Sequence, residues 1–131
     1  MPELNWLAII VAAVVMVVVS TAYYIIFGSQ LKALSAAYAD AQSRPPPWKV
    51  VLELARCLVL GAVVAGLISL LGISEVGGAI QLALALWVAF PVVLLVGSVQ
   101  WDKVPPMLAA IHAGDWVLKL LIVTLIVTLW P

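Results

Sequence analysis

The stretch LNWLAIIVAAVVMVVVSTAYYIIF, residues 4–27, decides the fold class of this chain. It contains no Asp, Glu, Lys or Arg. An α-helix needs about 20 mainly apolar residues to cross the hydrocarbon core of a bilayer. A secretory signal peptide would begin with basic residues, have a shorter apolar core and end at a small-residue cleavage site. Because the stretch shows none of these features, it predicts a retained membrane-spanning helix.

Three further stretches, residues 50–72, 77–99 and 113–130, have the same apolar character. The last begins near Ala113, or at Pro106 if a turn of helix precedes the membrane. The chain has 131 residues, of which 66% are hydrophobic and only 9% are charged. A soluble chain of this size could not bury so much apolar surface. We therefore expect one all-α domain over the whole chain, an integral membrane four-helix bundle.

Charge and reactive residues exclude several classes of function. Six Lys and Arg balance six Asp and Glu, so no basic patch is available to bind a nucleic acid. The single cysteine, Cys57, and the single histidine, His112, are too few to build a usual zinc site. The sequence contains no P-loop, G-x-S-x-G, H-E-x-x-H or dinucleotide-binding glycine motif. We expect no cofactor, no metal and no enzymatic activity.

The distribution of basic residues predicts the orientation of the helices. Lys32, Arg44 and Lys49 lie in the first loop and Lys103 lies in the third, whereas the second loop holds Glu75 and no basic residue. Cytoplasmic loops are enriched in Lys and Arg. Loops one and three are therefore predicted to be cytoplasmic, and both termini extracytoplasmic.

The first loop also carries local structural signals. Leu31, Leu34 and Tyr38 recur at helical spacing, which predicts a short interfacial helix on the membrane surface. The run Pro45–Pro47 should end it, with Pro47 suited to the first turn of the second spanning helix. Tryptophans near the predicted helix ends are expected to anchor the bundle at the membrane interfaces. These residues are Trp6, Trp48, Trp101, Trp116 and Trp130.

Charged residues inside a membrane are candidates for function. Glu53 and Arg56 lie three residues apart on the second helix, and Lys49 precedes Glu53 by four on the same face. Such spacing allows a local ion pair near the cytoplasmic interface, with Arg56 extending toward water. The alternative is that Glu53 faces a cavity and exchanges a proton or a cation.

A second polar face lies on the fourth helix. His112, Asp115 and Lys119 occupy positions i, i+3 and i+7, within about 60° of one another around a helix. One interpretation is an interfacial cluster that anchors the helix, with Asp115 favoured near the helix start. The other is a His–Asp pair, tuned by its surroundings, that lines a polar entrance.

Four other features of the sequence bear on packing or function. Asn5 can cap the first helix or bond a neighbouring helix. Ser20, Tyr23 and Tyr24 make the cytoplasmic end of that helix polar. Pro91 predicts a kink in the third helix, or a freed carbonyl that binds a ligand. Small residues on the second helix predict close helix packing, within the chain or with another chain. They are Ala55, Ala62, Gly66 and Ser69.

These features favour a membrane protein that acts through helix–helix association, as a homo-oligomer or as an accessory subunit of a membrane assembly. The alternative is a small-solute or cation transporter or channel that uses Glu53 or the face of His112, Asp115 and Lys119. A lipid-modifying intramembrane enzyme, with His112 as a general base, is the third hypothesis. Membrane lipid is the expected environment in every case.

Several short motifs along the chain form a recognisable pattern. They are Asn5-Trp6-Leu7-Ala8, Tyr23-Tyr24 before Phe27-Gly28, Trp87, Phe90 and Trp101, and His112-Ala113-Gly114-Asp115-Trp116 with Lys119. On these motifs the sequence resembles the bacterial membrane protein family of domain of unknown function 1761, over essentially its whole length. The departures are the triple proline and Pro131, where a basic end is common in the family. The resemblance implies a compact four-helix protein of the bacterial inner membrane and implies no activity.

Overall fold

The computed structural model describes residues 3–35 and 46–130, and these residues form helices and turns without a strand. Arg44, Pro45 and Tyr38 lie outside the described residues. In chain order the elements are α1 (Trp6–Ile26), α2 (Gly28–Leu34), α3 (Pro47–Leu71), α4 (Val76–Trp87), a π-helical segment (Val88–Val92), α5 (Val93–Trp101) and α6 (Pro106–Leu129).

Four helices are long and apolar enough to cross a membrane: α1, α3, the continuous helix 76–101 and α6. Their mean hydropathy is 2.6, 2.3, 2.5 and 1.8, respectively. The predicted all-α, four-helix architecture is therefore confirmed. The fourth helix begins at Pro106, not near Ala113, because Pro105 adopts an extended conformation and Pro106 can occupy the first helical turn.

The chain alternates direction, so each end of the bundle has its own charge. Lys32, Lys49 and Lys103 lie at the end where α1 stops and α6 starts, which we call the basic end. Glu3 and Glu75 lie at the opposite, acidic end, where the described residues include no Lys or Arg. The orientation predicted from the basic loops stays a prediction.

The helix α6 is the centre of the bundle, since it packs against α1, α3 and α4. A core of small and branched side chains fills the acidic half, with Ile9, Met16, Val64 and Val123 fully buried. Gly61 of α3 allows α1 to approach closely, because a Cβ there would lie 3.1 Å from Cγ2 of Ile9. Close packing of small residues is the usual way in which helices associate in lipid.

The helix ends follow local rules. Asn5 caps α1 by accepting a hydrogen bond from the N–H of Ala8 at 3.1 Å, and its Nδ2 donates to the carbonyl of Trp130 at 3.1 Å. Asn5 therefore both caps α1 and bonds to the end of a neighbouring helix, which are the two roles that the sequence allowed. Pro47 is the first residue of α3, and Gly72 ends that helix in the left-handed conformation, with φ of 68°. Glycine adopts this conformation without steric cost.

Pro91 lies inside the π-helical segment of the third spanning helix and is buried. A proline has no N–H and its ring clashes with the preceding turn. Widening the helix for one turn accommodates both effects, which is how π-bulges commonly arise. The interruption predicted at Pro91 is therefore present as a π-helical turn.

A short helix is present in the first loop as α2, and it ends at Leu34, before Tyr38 and the prolines. Its position on the membrane surface stays a prediction. Its Leu31 is buried against Leu108 and Ile111 at the start of α6, with Leu34 beside them. This small cluster closes the bundle next to the basic end. It also ties the end of α1 to α6, where the polar residues lie.

The small-residue stripe on α3 is not the face that packs within the chain. Ala55 and Ser69 are exposed, and a Cβ at Gly66 would meet nothing within 4 Å. The internal face of α3 is instead formed by Cys57, Gly61, Val64, Ala65 and Ile68. Packing of the stripe against another chain remains open.

Candidate polar cleft

A cleft of about 610 Å³ opens between α1, α3 and α6 in the basic half of the bundle. Its polar wall combines residues from all three helices. They are Ser20, Thr21 and Tyr24 of α1, Lys49, Glu53 and Arg56 of α3, and His112, Asp115, Trp116 and Lys119 of α6. The cleft thus brings together both of the polar faces that the sequence predicted separately.

Lys119 connects the two faces. Its Nζ donates to Oε1 of Glu53 at 2.9 Å and lies 3.1 Å from Oδ2 of Asp115. The lysine and the aspartate side chains are 7% and 4% exposed, so their pair is buried, whereas Glu53 is 28% exposed. The bond to Glu53 crosses from α6 to α3. The spacing within each helix could not predict it.

The remaining carboxylate oxygens also have partners. Arg56 donates to Oε2 of Glu53 at 2.6 Å, which is the local pair that the spacing predicted. The hydroxyl of Ser20 donates to Oδ1 of Asp115 at 2.7 Å. Two acidic and two basic side chains are therefore joined in one neutral network. We call Glu53, Arg56, Asp115 and Lys119 the ionic network.

The network lies inside the bundle and not at its edge. Ser20 is six residues from the end of α1 and Glu53 six residues from the start of α3, about 9 Å along each helix axis. Lys119 is thirteen residues from the start of α6, or about 20 Å. α6 begins seven residues before Ala113, and the predicted position of its polar face at the membrane interface stays a prediction.

His112 lies closer to the basic end, and its Nδ1 shares a hydrogen bond of 2.6 Å with the hydroxyl of Tyr24. Asp115 bonds to Ser20 and Lys119 instead. These hydrogen bonds join His112 to α1 through Tyr24 and Asp115 to α1 through Ser20. Both residues still line the cleft, as the hypothesis of a polar entrance expected.

Two aromatic residues fix α6 in position. The hydroxyl of Tyr23 donates to the carbonyl of Ile111 at 2.5 Å, and Nε1 of Trp87 donates to the carbonyl of Ala113 at 2.8 Å. Gly114 is required beside them, because a Cβ there would overlap with the hydroxyl of Tyr23. These contacts bind neighbouring helices to the turn that carries His112.

Trp116 does not lie near a helix end as predicted, and its role as an interface anchor stays a prediction. It lies ten residues into α6, not at a helix end, and the ammonium of Lys119 sits 5.2 Å from the centre of its ring. This is a cation–π contact. Of the other predicted anchors, Trp6, Trp48, Trp101 and Trp130 are exposed at or beside helix ends.

Ser20, Tyr23 and Tyr24 contribute to the site, although the sequence indicated only a polar helix end. Their spacing of three and four residues places them on one face of α1, and that signal was available. The partners of these residues on α6 could not be read from a single helix. Within residues 3–35 and 46–130, no group of three His, Cys, Asp or Glu is placed to hold a metal ion.

The fold and the cleft define a multi-pass helical membrane protein with a polar site inside one half of the bundle. A family described as protein of unknown function (DUF1761) matches residues 7–128. The chain belongs to this family, which confirms the predicted resemblance. Neither a curated protein nor a solved structure matches the chain.

Proposed function

We propose that this chain is a non-enzymatic protein of the bacterial inner membrane that binds a small polar or charged group in the cleft. The group enters from the basic end, which the positive-inside rule places in the cytoplasm. The observation that supports this proposal is the ionic network, because it joins two helices and forms the wall of a cavity of about 610 Å³.

The cost of the network supports a functional role. Charges inside a membrane are expensive and commonly mark a pathway or a binding site. A buried ion pair contributes little net stability compared with apolar residues of similar volume. Helix packing alone would therefore be served equally well if apolar residues replaced all members of the ionic network. A site that binds a charged group, by contrast, needs charged side chains.

The shape of the cavity favours a binding site over an open channel. Beyond the ionic network, the acidic half is filled by fully buried side chains such as Ile9, Met16, Val64 and Val123. A solute in the cleft would meet this core and could not pass without a conformational change. A transporter would use the same cleft residues and would in addition require this conformational change.

Cysteine accessibility tests the proposal. In a Cys57→Ala background, Thr21→Cys places a thiol in the cleft and Val14→Cys places one on an exposed apolar part of α1, outside the cleft. We expect a membrane-impermeant thiol reagent to modify the first variant from the cytoplasmic side and to leave the second unmodified. Absence of modification at Thr21→Cys from either side would contradict aqueous access, and with it the proposed site.

A second candidate function is association with another membrane chain, most simply a second copy. The stripe of Ala55, Ala62, Gly66 and Ser69 favours it, because Ala55 and Ser69 are exposed and a Cβ at Gly66 would meet no described residue within 4 Å. Cross-linking in native membranes tests it directly. A protein recovered only as a monomer, without a partner under mild extraction, would exclude this candidate.

A further inference from the structure

An apolar groove of about 540 Å³ lies on the outer surface of α3, beside the polar cleft. Arg56 and Trp116 line both cavities, so the two cavities share one wall. The rest of the groove is formed by Leu52, Ala55, Val59, Leu60 and Val63. A charged cavity and an apolar groove therefore meet at one exposed guanidinium.

We propose that the cleft and the groove together bind one anionic phospholipid, with the phosphate at Arg56 and an acyl chain along the groove. This inference rests on the proposed function and names the class of ligand. The phosphate lies at the mouth of the cleft, and the chain follows α3 toward the middle of the bilayer.

The charge of the rim favours an anionic headgroup. The side chain of Arg56 is 57% exposed and donates one hydrogen bond to Glu53, whereas a guanidinium has five N–H donors. Its planar fork suits the oxygens of a phosphate. Lys49 lies seven residues earlier on the same face of α3 and lines the same cleft. Three basic side chains (Lys49, Arg56 and Lys119) and two acidic ones (Glu53 and Asp115) line the cleft, so its wall carries one net positive charge that favours an anion.

The depth of Arg56 agrees with this placement. Side chains of a helix point toward its N-terminus, which for α3 is the basic end. The hydrogen bond from Arg56 back to Glu53 has this direction. The guanidinium is therefore nearer to the headgroup region than its Cα, as in other snorkelling arginines.

The length of the groove agrees with one acyl chain. From Leu52 to Val63 the groove follows eleven residues of α3, about 17 Å along the axis. One leaflet contributes about half of the 30 Å hydrocarbon core. The groove thus spans the depth of a single leaflet, starting at the charged end where a headgroup would lie.

The test uses the full chain in nanodiscs of phosphatidylcholine that contain a minor fraction of phosphatidylglycerol. Native mass spectrometry then measures which lipid the released protein retains. We expect retention of one phosphatidylglycerol in preference to phosphatidylcholine. Arg56→Gln should lower this preference roughly tenfold, since it removes a charge-assisted hydrogen bond. Val59→Trp should lower retention of both lipids, because the indole fills the groove.

Two matched variants control for general effects. Lys32→Gln removes a positive charge on α2, outside the cleft and the groove, and Val18→Trp adds the same bulk on the exposed side of α1. Both should keep the wild-type preference. Equal loss in these controls would contradict a specific site. Unchanged retention in Arg56→Gln would contradict the assignment of the phosphate.

A soluble competitor separates a lipid from a free anion. Glycerol phosphate carries the headgroup chemistry without an acyl chain, and we expect it to displace the retained lipid poorly. Displacement at low concentration, together with no effect of Val59→Trp, would overturn the lipid proposal. The cleft would then take a soluble anion, and the proposed function would stand. Failure of cysteine labelling at Thr21→Cys would instead overturn the proposed function itself.

Discussion

The two halves of the bundle are held together by different forces. In the acidic half, α1, α3 and α6 approach closely through Gly61 and alanines, and branched apolar side chains fill the remaining space. In the basic half, the same three helices are joined by the ionic network and by the hydrogen bond from Ser20 to Asp115. Close packing therefore holds the three helices together in the acidic half, and polar bonds join them in the basic half.

This difference shows how a small membrane protein can carry a polar site. Lipid supplies no hydrophobic drive for helices to associate, so contact must come from close packing or from polar bonds. The acidic half provides the packing and leaves the basic half open enough for a cleft. The stability of the basic half should therefore depend on hydrogen bonds and ion pairs. The stability of the acidic half should depend on how well its side chains fill the space between the helices.

The largest expected effect is that of Lys119→Met. Removing the ammonium takes away the ion-pair partner of the buried Asp115 and one of the two basic partners of Glu53. Breaking a buried ion pair in this way destabilises proteins by about 3–5 kcal/mol. Equilibrium unfolding in mixed detergent and dodecyl sulfate micelles measures the change in unfolding free energy.

A neutral version of the same site is the control for that variant. Lys119→Met combined with Glu53→Gln and Asp115→Asn removes all three charges, and we expect it to recover most of the lost stability. A loss below about 1 kcal/mol for Lys119→Met alone would mean that the network is as weak as a surface ion pair. That result would contradict the assignment of the basic half to polar bonds.

A matched pair of hydroxyl deletions gives the next largest effect. Ser20→Ala removes a buried hydrogen bond to a carboxylate and should cost about 1.5–3 kcal/mol. Thr128→Val removes a buried hydroxyl that has no hydrogen-bond partner among the described residues, so it should be neutral or stabilising. The same unfolding measurement compares them. Equal losses of unfolding free energy in Ser20→Ala and Thr128→Val would contradict the proposed difference between the two halves.

Two glycines on α3 give the smallest of the three effects. Gly61→Val should destabilise the acidic half by about 1–3 kcal/mol, because the added side chain meets Ile9. Gly66→Val has open space on the outer face and should leave the unfolding free energy nearly unchanged. If cross-linking detects a dimer, Gly66→Val should weaken it while Gly61→Val should not. A larger loss for Gly66→Val than for Gly61→Val would contradict the assignment of the internal packing face of α3.

The sequence predicts the spans well because the apolar runs and the prolines act locally. Pro47 and Pro106 begin helices for a reason that lies in their own backbone, and Asn5 caps α1 through a residue three positions away. The pair of Glu53 and Arg56 is also local and was predicted from spacing.

The cleft could be predicted only in part. Each polar face is visible as a periodicity, but which faces meet depends on the rotation of whole helices about their axes. The bond from Lys119 to Glu53 joins residues 66 positions apart, and that from Ser20 to Asp115 joins residues 95 apart. The small-residue stripe shows the same limit, since Gly61 and not Gly66 makes the close internal contact.

The two intrahelical ion pairs have a consequence for how the chain enters the bilayer. Arg56 neutralises Glu53 on α3, at 2.6 Å, and Lys119 lies 3.1 Å from Asp115 on α6. Each helix therefore brings its own counter-charge and can be transferred into lipid before the other arrives. The bond from Lys119 to Glu53 forms only when α6 reaches α3. We expect insertion to precede docking, and this one cross-helix bond to set the register in which the last helix joins the bundle.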